Sequence, residues 1–166
     1  MPEILDLYDI DGNKTGETVM RGTKIPEGRH VLIVSIVTVN SKVKILLTRR
    51  SEGKTFAGCW EVTGGCVQSG ETAVQGAVRE LFEETGIRVT ADELECRGQE
   101  TGRNYIHVFY LARRDVPVHA LWLCADETDA AKWVQPPEYL RLAEQYQSIP
   151  LGISLLCAHY PDLFPA

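Results

Sequence analysis

The sequence predicts an α/β layered domain, and three observations carry that prediction. A nearly continuous apolar, β-branched run from His30 to Val39, HVLIVSIVTV, reads as a central strand buried on both faces. A 3.6-residue apolar period from about Thr72 to Thr85 reads as an amphipathic helix. Strand-like segments lie on both sides of that helix in sequence, the order that builds a helical layer on a sheet. With 166 residues, 44% hydrophobic and 24% charged, the chain suffices for one ordinary core, so residues 1–166 are expected to form one domain.

The elements follow in order. EILDLYDI and KTGETVM, separated by the turn chemistry of Asp11-Gly12-Asn13, predict an opening hairpin within residues 1–28. The His30–Val39 strand should then pair across Asn40-Ser41-Lys42 with VKILLTRR as a short hairpin. Further strands are expected at CWEVTG, at Ile87-Arg88-Val89 after the helix, at ELECRGQE, NYIHVFYLAR and DAAKWVQ. The tail from about 136 to 166, with PPEYLRLAEQYQ and LGISLLCAHY, reads as one or two helices.

Composition excludes several functions. Five scattered cysteines without a CxxC pair indicate neither a disulfide framework nor a zinc knuckle. A formal net charge of -6 disfavours a nucleic-acid backbone binder, because phosphate contacts need a basic field. No apolar run reaches the roughly 20 residues of a membrane span, and MPEILDLYDIDG lacks the order of a signal peptide. A soluble, cytoplasmic protein without a membrane partner is expected. An anionic substrate would then need local arginines or bound cations.

Glu80, Glu83 and Glu84 stand at i, i+3, i+4 on the helix, opposite an expected core face of Val74, Ala77, Val78, Leu81 and Phe82. Gly76 and Ala73, one and two turns earlier, leave the approach to the carboxylates almost free of side-chain bulk. Three neighbouring carboxylates repel one another, and near a helix C-terminus the macrodipole disfavours them further. Such a face calls for a cation, and hard oxygen ligands suit Mg²⁺ or Mn²⁺. A merely solvated acidic face, with Arg79 paired to Glu83, is the plainer reading of the helix alone.

The surrounding residues decide between them. Gly65, five residues, Glu71, seven residues, Arg79-Glu80-Leu81, one residue, Glu83-Glu84, one residue, Gly86-Ile87 resembles the complete signature of the Nudix hydrolases, GX5EX7REUXEEXGU, without a departure. GCWEVTGG upstream and the Glu127 to Trp133 spacing downstream are similar to the same family. The resemblance implies a Nudix fold: an α/β/α sandwich with a mixed β-sheet and a loop-helix-loop catalytic motif. It also implies metal-dependent cleavage of a diphosphate bond in a nucleoside diphosphate linked to another group. Glu80, Glu83 and Glu84 would ligate the metal, with a backbone carbonyl of Gly64 or Gly65 completing the site. Glu71 and Arg79 would organise the loop against the helix, and Gly70 would permit the turn between them. Glu80 is one candidate for the general base and Glu127 another, and Glu127 would otherwise be an extra ligand or an exposed acid beside Asp126 and Asp129. Arg49, Arg50 and Lys54 would hold substrate phosphate, or else form a solvated strand end. Trp60 reads as core rather than as a stacking platform. A homodimer is expected, with the apolar tail LGISLLCAHY as its surface.

Two rival functions remain at this point. Arg29-His30 before a long strand and Arg49-Arg50-Ser51 after one resemble the branch that contains isopentenyl diphosphate isomerases. Those enzymes place a cysteine just before the box glycine and a histidine soon after it, where this chain has Gly64 and Cys66. The other rival is a non-catalytic nucleotide-sensing domain, which the intact set of box carboxylates disfavours.

Overall fold

In the computed structural model, which describes residues 1–145 and 153–165, the opening hairpin is present as β1 (Ile4–Tyr8) and β2 (Lys14–Met20). Its turn forms because Asp9 Oδ1 accepts the backbone N–H groups of Asp11 and Asn13, while Gly12 takes φ 83°. Leu5 and Leu7 of β1 pack with Val31, which attaches the hairpin to the main sheet.

The His30–Val39 run becomes β3 (Val31–Val39), paired in parallel with β8 (Tyr105–Arg113) over nine residues. The rest of the sheet is β4 (Ile45–Arg50), β5 (Trp60–Glu61), β6 (Thr63–Cys66), β7 (Glu95–Thr101) and β9 (Thr128–Val134). One face is covered by α1 (Ala73–Thr85), the other by α2 (Pro136–Glu144) and α3 (Ile153–His159). Even-numbered residues of β3 (Leu32, Val34, Ile36) join the α1 core and odd-numbered ones (Val37, Val39) the α2–α3 core, the period-2 consequence of a strand buried on both faces. The mixed sheet between helical layers is the α/β arrangement that the sequence predicts.

Two local expectations need correction. The β3–β4 hairpin touches in register only at Val39 and Ile45. Beyond that pair the strands splay, and CWEVTG enters the wedge as two short strands, β5 on the edge of β4 and β6 on the edge of β3. Ile87-Arg88-Val89 forms no strand. Gly86 ends α1 in the left-handed conformation at φ 74°, and Ile87 and Val89 drop into the α1 core without needing a ladder. In the tail, Leu156 and Tyr160 are 1% and 0% exposed, inside the core with Leu163 and Phe164. Tyr146, Gln147, Leu151 and Gly152 of the expected tail helices lie outside the described residues.

Candidate active site

The site begins with how α1 is started and stopped. Gly70 turns the chain at φ 87°, Thr72 caps the helix, and Thr72 and Gln75 form a reciprocal capping box. The helix then buries an arc rotated from the expected one. Ala77 and Leu81 are in the core, but Glu80 and Glu84 are only 7% and 6% exposed, whereas Val74, Val78 and Phe82 are half-buried. The two glutamates therefore face inward, toward the strand-split of the sheet. Gly76 does not open a ligand approach. A Cβ there would come 2.9 Å from Val67, so this glycine lets the loop before the helix lie on the helix itself.

Arg79 ties that loop down with all five of its N–H donors. Nε and Nη2 bond the two oxygens of Glu71 at 2.7 and 3.0 Å, and Nη2 also reaches the Cys66 carbonyl at 2.9 Å. Nη1 bonds Glu80 at 2.9 Å and Glu83 at 3.0 Å. Burial opposes the charge on Glu71, yet Arg79 and the Gln68 N–H hold its carboxyl below the usual range. Gly65 packs against the Glu80 carboxylate so closely that a Cβ would collide with it.

Glu80 and Glu84 are held the other way. Burial pushes Glu80 up to about 7 despite Arg79. Burial also pushes Glu84 well above the carboxylate range, reinforced by the neighbouring charges of Glu61, Glu80 and Glu127. Glu84 Oε2 is fully buried and has no hydrogen-bond partner among the described residues. An acceptor-only carboxylate, buried, unpartnered and surrounded by other carboxylates, is stabilised by a hard cation. The residues present therefore fit Mg²⁺ or Mn²⁺, although among the described residues no His, Cys, Asp and Glu cluster stands ready as a closed cage.

These groups open into a cleft of about 320 Å³ lined by Gly64, Glu80, Glu83, Glu84, Arg50, Lys54 and Glu127, and also by Glu3, Arg21, Phe82, Trp122 and Cys124. Five carboxylates thus face three cations, a balance that repels an anionic substrate until positive charge is added. Arg50 bonds Glu61 at 3.1 Å and the Thr55 carbonyl at 2.7 Å; Lys54 bonds Glu127 at 2.7 Å. Arg49 does not join them. As the strand neighbour of Arg50 its side chain leaves on the other face, bonding Asp129 at 2.7 Å beside Trp60. Trp60 itself is half-buried with the Lys132 Nζ 4.5 Å from its ring centre, and it is no part of the cleft. Cys66 is not activated, because burial pushes its thiol up.

Sequence reasoning did not find Glu3, Arg21, Glu61 or Trp122. Glu61 had a signal, a glutamate between Trp60 and Val62 in an otherwise apolar strand segment. Glu3 and Arg21 carried none, since only the docking of the hairpin brings their 2.7 Å ion pair to this cleft.

Comparison with known proteins identifies a family. The sequence model of the NUDIX domain matches residues 29–151. The CTP pyrophosphohydrolase of Escherichia coli K12 is 38% identical over 115 residues, 68% of this chain and 79% of that protein. An uncharacterized Nudix hydrolase of Listeria monocytogenes, lmo0368, is 26% identical over 147 residues, 87% of each chain. The crystal structure of DR0079 from Deinococcus radiodurans superposes with a TM-score of 0.78 at 25% identity, covering 95% of this chain and 99% of that one.

Proposed function

Since the chain belongs to the Nudix family of hydrolases, we propose that it uses Mg²⁺ or Mn²⁺ to hydrolyse a diphosphate bond in a small nucleoside diphosphate derivative. The observation that carries this reading is Glu84, a buried carboxylate with an unpartnered oxygen beside Glu80 on the cleft wall. Glu80, Glu83 and Glu84 would hold the cation, with a carbonyl of Gly64 or Gly65. When bound, it would neutralise the diphosphate and lower the pKa of an attacking water. Arg79 keeps the carboxylates at fixed angles while Glu71 anchors it to the loop. Arg50 and Lys54 are placed to receive phosphate oxygens in exchange for Glu61 and Glu127. Glu127, which also lines the cleft, serves as base or as a further ligand.

What supports hydrolysis over isomerisation is the inert setting of Cys66 and the complete carboxylate set. The decisive experiment is a screen of nucleoside diphosphate sugars, dinucleotides, nucleoside triphosphates and isopentenyl diphosphate with Mg²⁺ or Mn²⁺, scored by product. Hydrolysis should vanish with chelator, and Glu84→Gln should lose at least about a hundredfold in kcat while staying folded. Adding Mg²⁺ should raise the Tm of the wild type by mass action and leave that of Glu84→Gln nearly unmoved. Full turnover in chelator, or in Glu84→Gln, would end the proposal.

A further inference from the structure

The cleft wall carries a large apolar side chain that diphosphate chemistry does not use. Trp122 is 70% exposed, while Trp60 is half-buried in its ion-pair layer and Trp133 donates its indole N–H to the Val116 carbonyl at 2.8 Å. A single exposed indole is ordinary on a protein surface, but this one lines the same cleft as Glu80, Glu83 and Glu84, and that placement points to a ligand. Trp122 is also held in place. Its backbone N–H bonds the Thr85 carbonyl at 3.0 Å, and Thr128 Oγ1, at the other end of the same loop, reaches the Glu84 carbonyl at 3.4 Å. Both ends of the loop are therefore fastened to the last turn of the helix that carries the carboxylates. Leu121 packs on the α1 core, which leaves its neighbour directed outward. Gly86 permits the approach, since a Cβ there would lie 3.0 Å from Trp122 Cβ. Phe82, the other aromatic lining the cleft, already has the Arg88 guanidinium carbon 4.4 Å from its ring centre.

We propose that Trp122 is the platform on which the substrate's nucleobase stacks, so that this site selects base-bearing diphosphates over base-free ones. The inference rests on the hydrolase reading and deepens it by assigning the specificity residue. An indole carried on a backbone fastened beside the carboxylate set matches a ligand with a planar π-face at one end and a diphosphate at the other. Stacking tolerates any base, so one indole implies a preference for nucleosides without choosing among them.

The test is equilibrium binding with Mg²⁺ of the α,β-methylene diphosphates of adenosine, guanosine, cytidine and uridine, with methylenediphosphonate as the base-free control. Trp122→Ala should weaken at least one nucleoside analogue by about tenfold, the scale of one base–aromatic stack, and Trp122→Phe should recover most of it. Methylenediphosphonate should bind all three proteins equally. Equal affinity of wild type and Trp122→Ala for all four nucleoside analogues would overturn the platform. So would an equal loss for the base-free control, because that pattern reports damage to the phosphate site. A Trp122-dependent preference in a protein that hydrolyses nothing in the screen would sustain the platform and remove the hydrolase reading. Hydrolysis of nucleotides with an unchanged KM in Trp122→Ala would do the reverse.

Discussion

Arg79 brings three carboxylates to within 3.0 Å of one guanidinium, and its side chain is only 18% exposed. Removing it leaves Glu71, Glu80 and Glu83 facing one another without a counter-charge, in a setting where an orphaned partner is worth more than the pair. Arg79→Gln is expected to lower stability by about 3 kcal/mol, or a Tm fall on the order of 10 °C for a chain of this length, together with most of the activity. Calorimetry beside a turnover assay checks both. A stable but inactive variant would mean that Arg79 acts on substrate rather than on the loop. Helical spacing made Glu80, Glu83 and Glu84 legible as one acidic face, and the resemblance to the Nudix signature added Glu71 and Arg79. Arg21 and Trp122 were not legible, since each reaches the cleft from a distant segment and only tertiary packing reveals it.

At the scale of elements, the N-terminal hairpin lies wholly outside residues 29–151, yet it is fastened to the loop before α1. Asp6 accepts from Ser69 Oγ at 2.6 Å, from the Gly70 N–H at 3.0 Å and from Lys14 Nζ at 2.7 Å, and the Ser69 N–H bonds the Ile4 carbonyl at 2.8 Å. Burial raises the Asp6 pKa, but the Gly70 N–H, Lys14 and Ser69 outweigh it and hold the carboxyl at about 2, below its ordinary 3.8. A depressed carboxyl stabilises the fold above its unfolded pKa and loses that contribution as pH falls through the folded value. Asp6→Asn should therefore cost about 1 kcal/mol at pH 7, discounted for partial exposure, and the gap from wild type should close between about pH 4 and pH 2. Urea titrations across that range would show it; a gap independent of pH would assign the loss to packing. The hairpin itself was readable from its turn residues, but its attachment was not, because Asp6 and Gly70 are joined by no local periodicity. The expected strand at Ile87–Val89 failed for a related reason: β-branched residues satisfy a core without a ladder when a left-handed glycine has already turned the chain.

For the whole molecule, the sheet separates two cores with different duties. The α1 side carries the box helix against Leu32, Val34 and Ile36, and the opposite side is filled by Tyr139, Leu156, Tyr160, Leu163 and Phe164 against Val37, Phe109 and Leu111. Tyr160 is anchored there by its hydroxyl, which donates to the Tyr110 carbonyl at 2.8 Å. Leu156, Tyr160, Leu163 and Phe164 of the tail thus complete the chain's own interior. Apolarity in a sequence specifies removal from water without specifying which partner removes it, and this is why the tail helices were foreseen while their destination was not. Leu156→Ala separates the two meanings. As a cavity in the second core it should lower unfolding free energy by about 2–4 kcal/mol, with kcat/KM per folded molecule within about twofold of wild type, since none of the described residues lining the cleft belongs to that core. If the tail were instead the seam between two copies, the same change would shift the molar mass in light scattering at micromolar concentration. The burial of Leu156 predicts an unchanged mass and a lower denaturation midpoint, whereas a halved mass at unaltered stability would return the tail to the role of an interface.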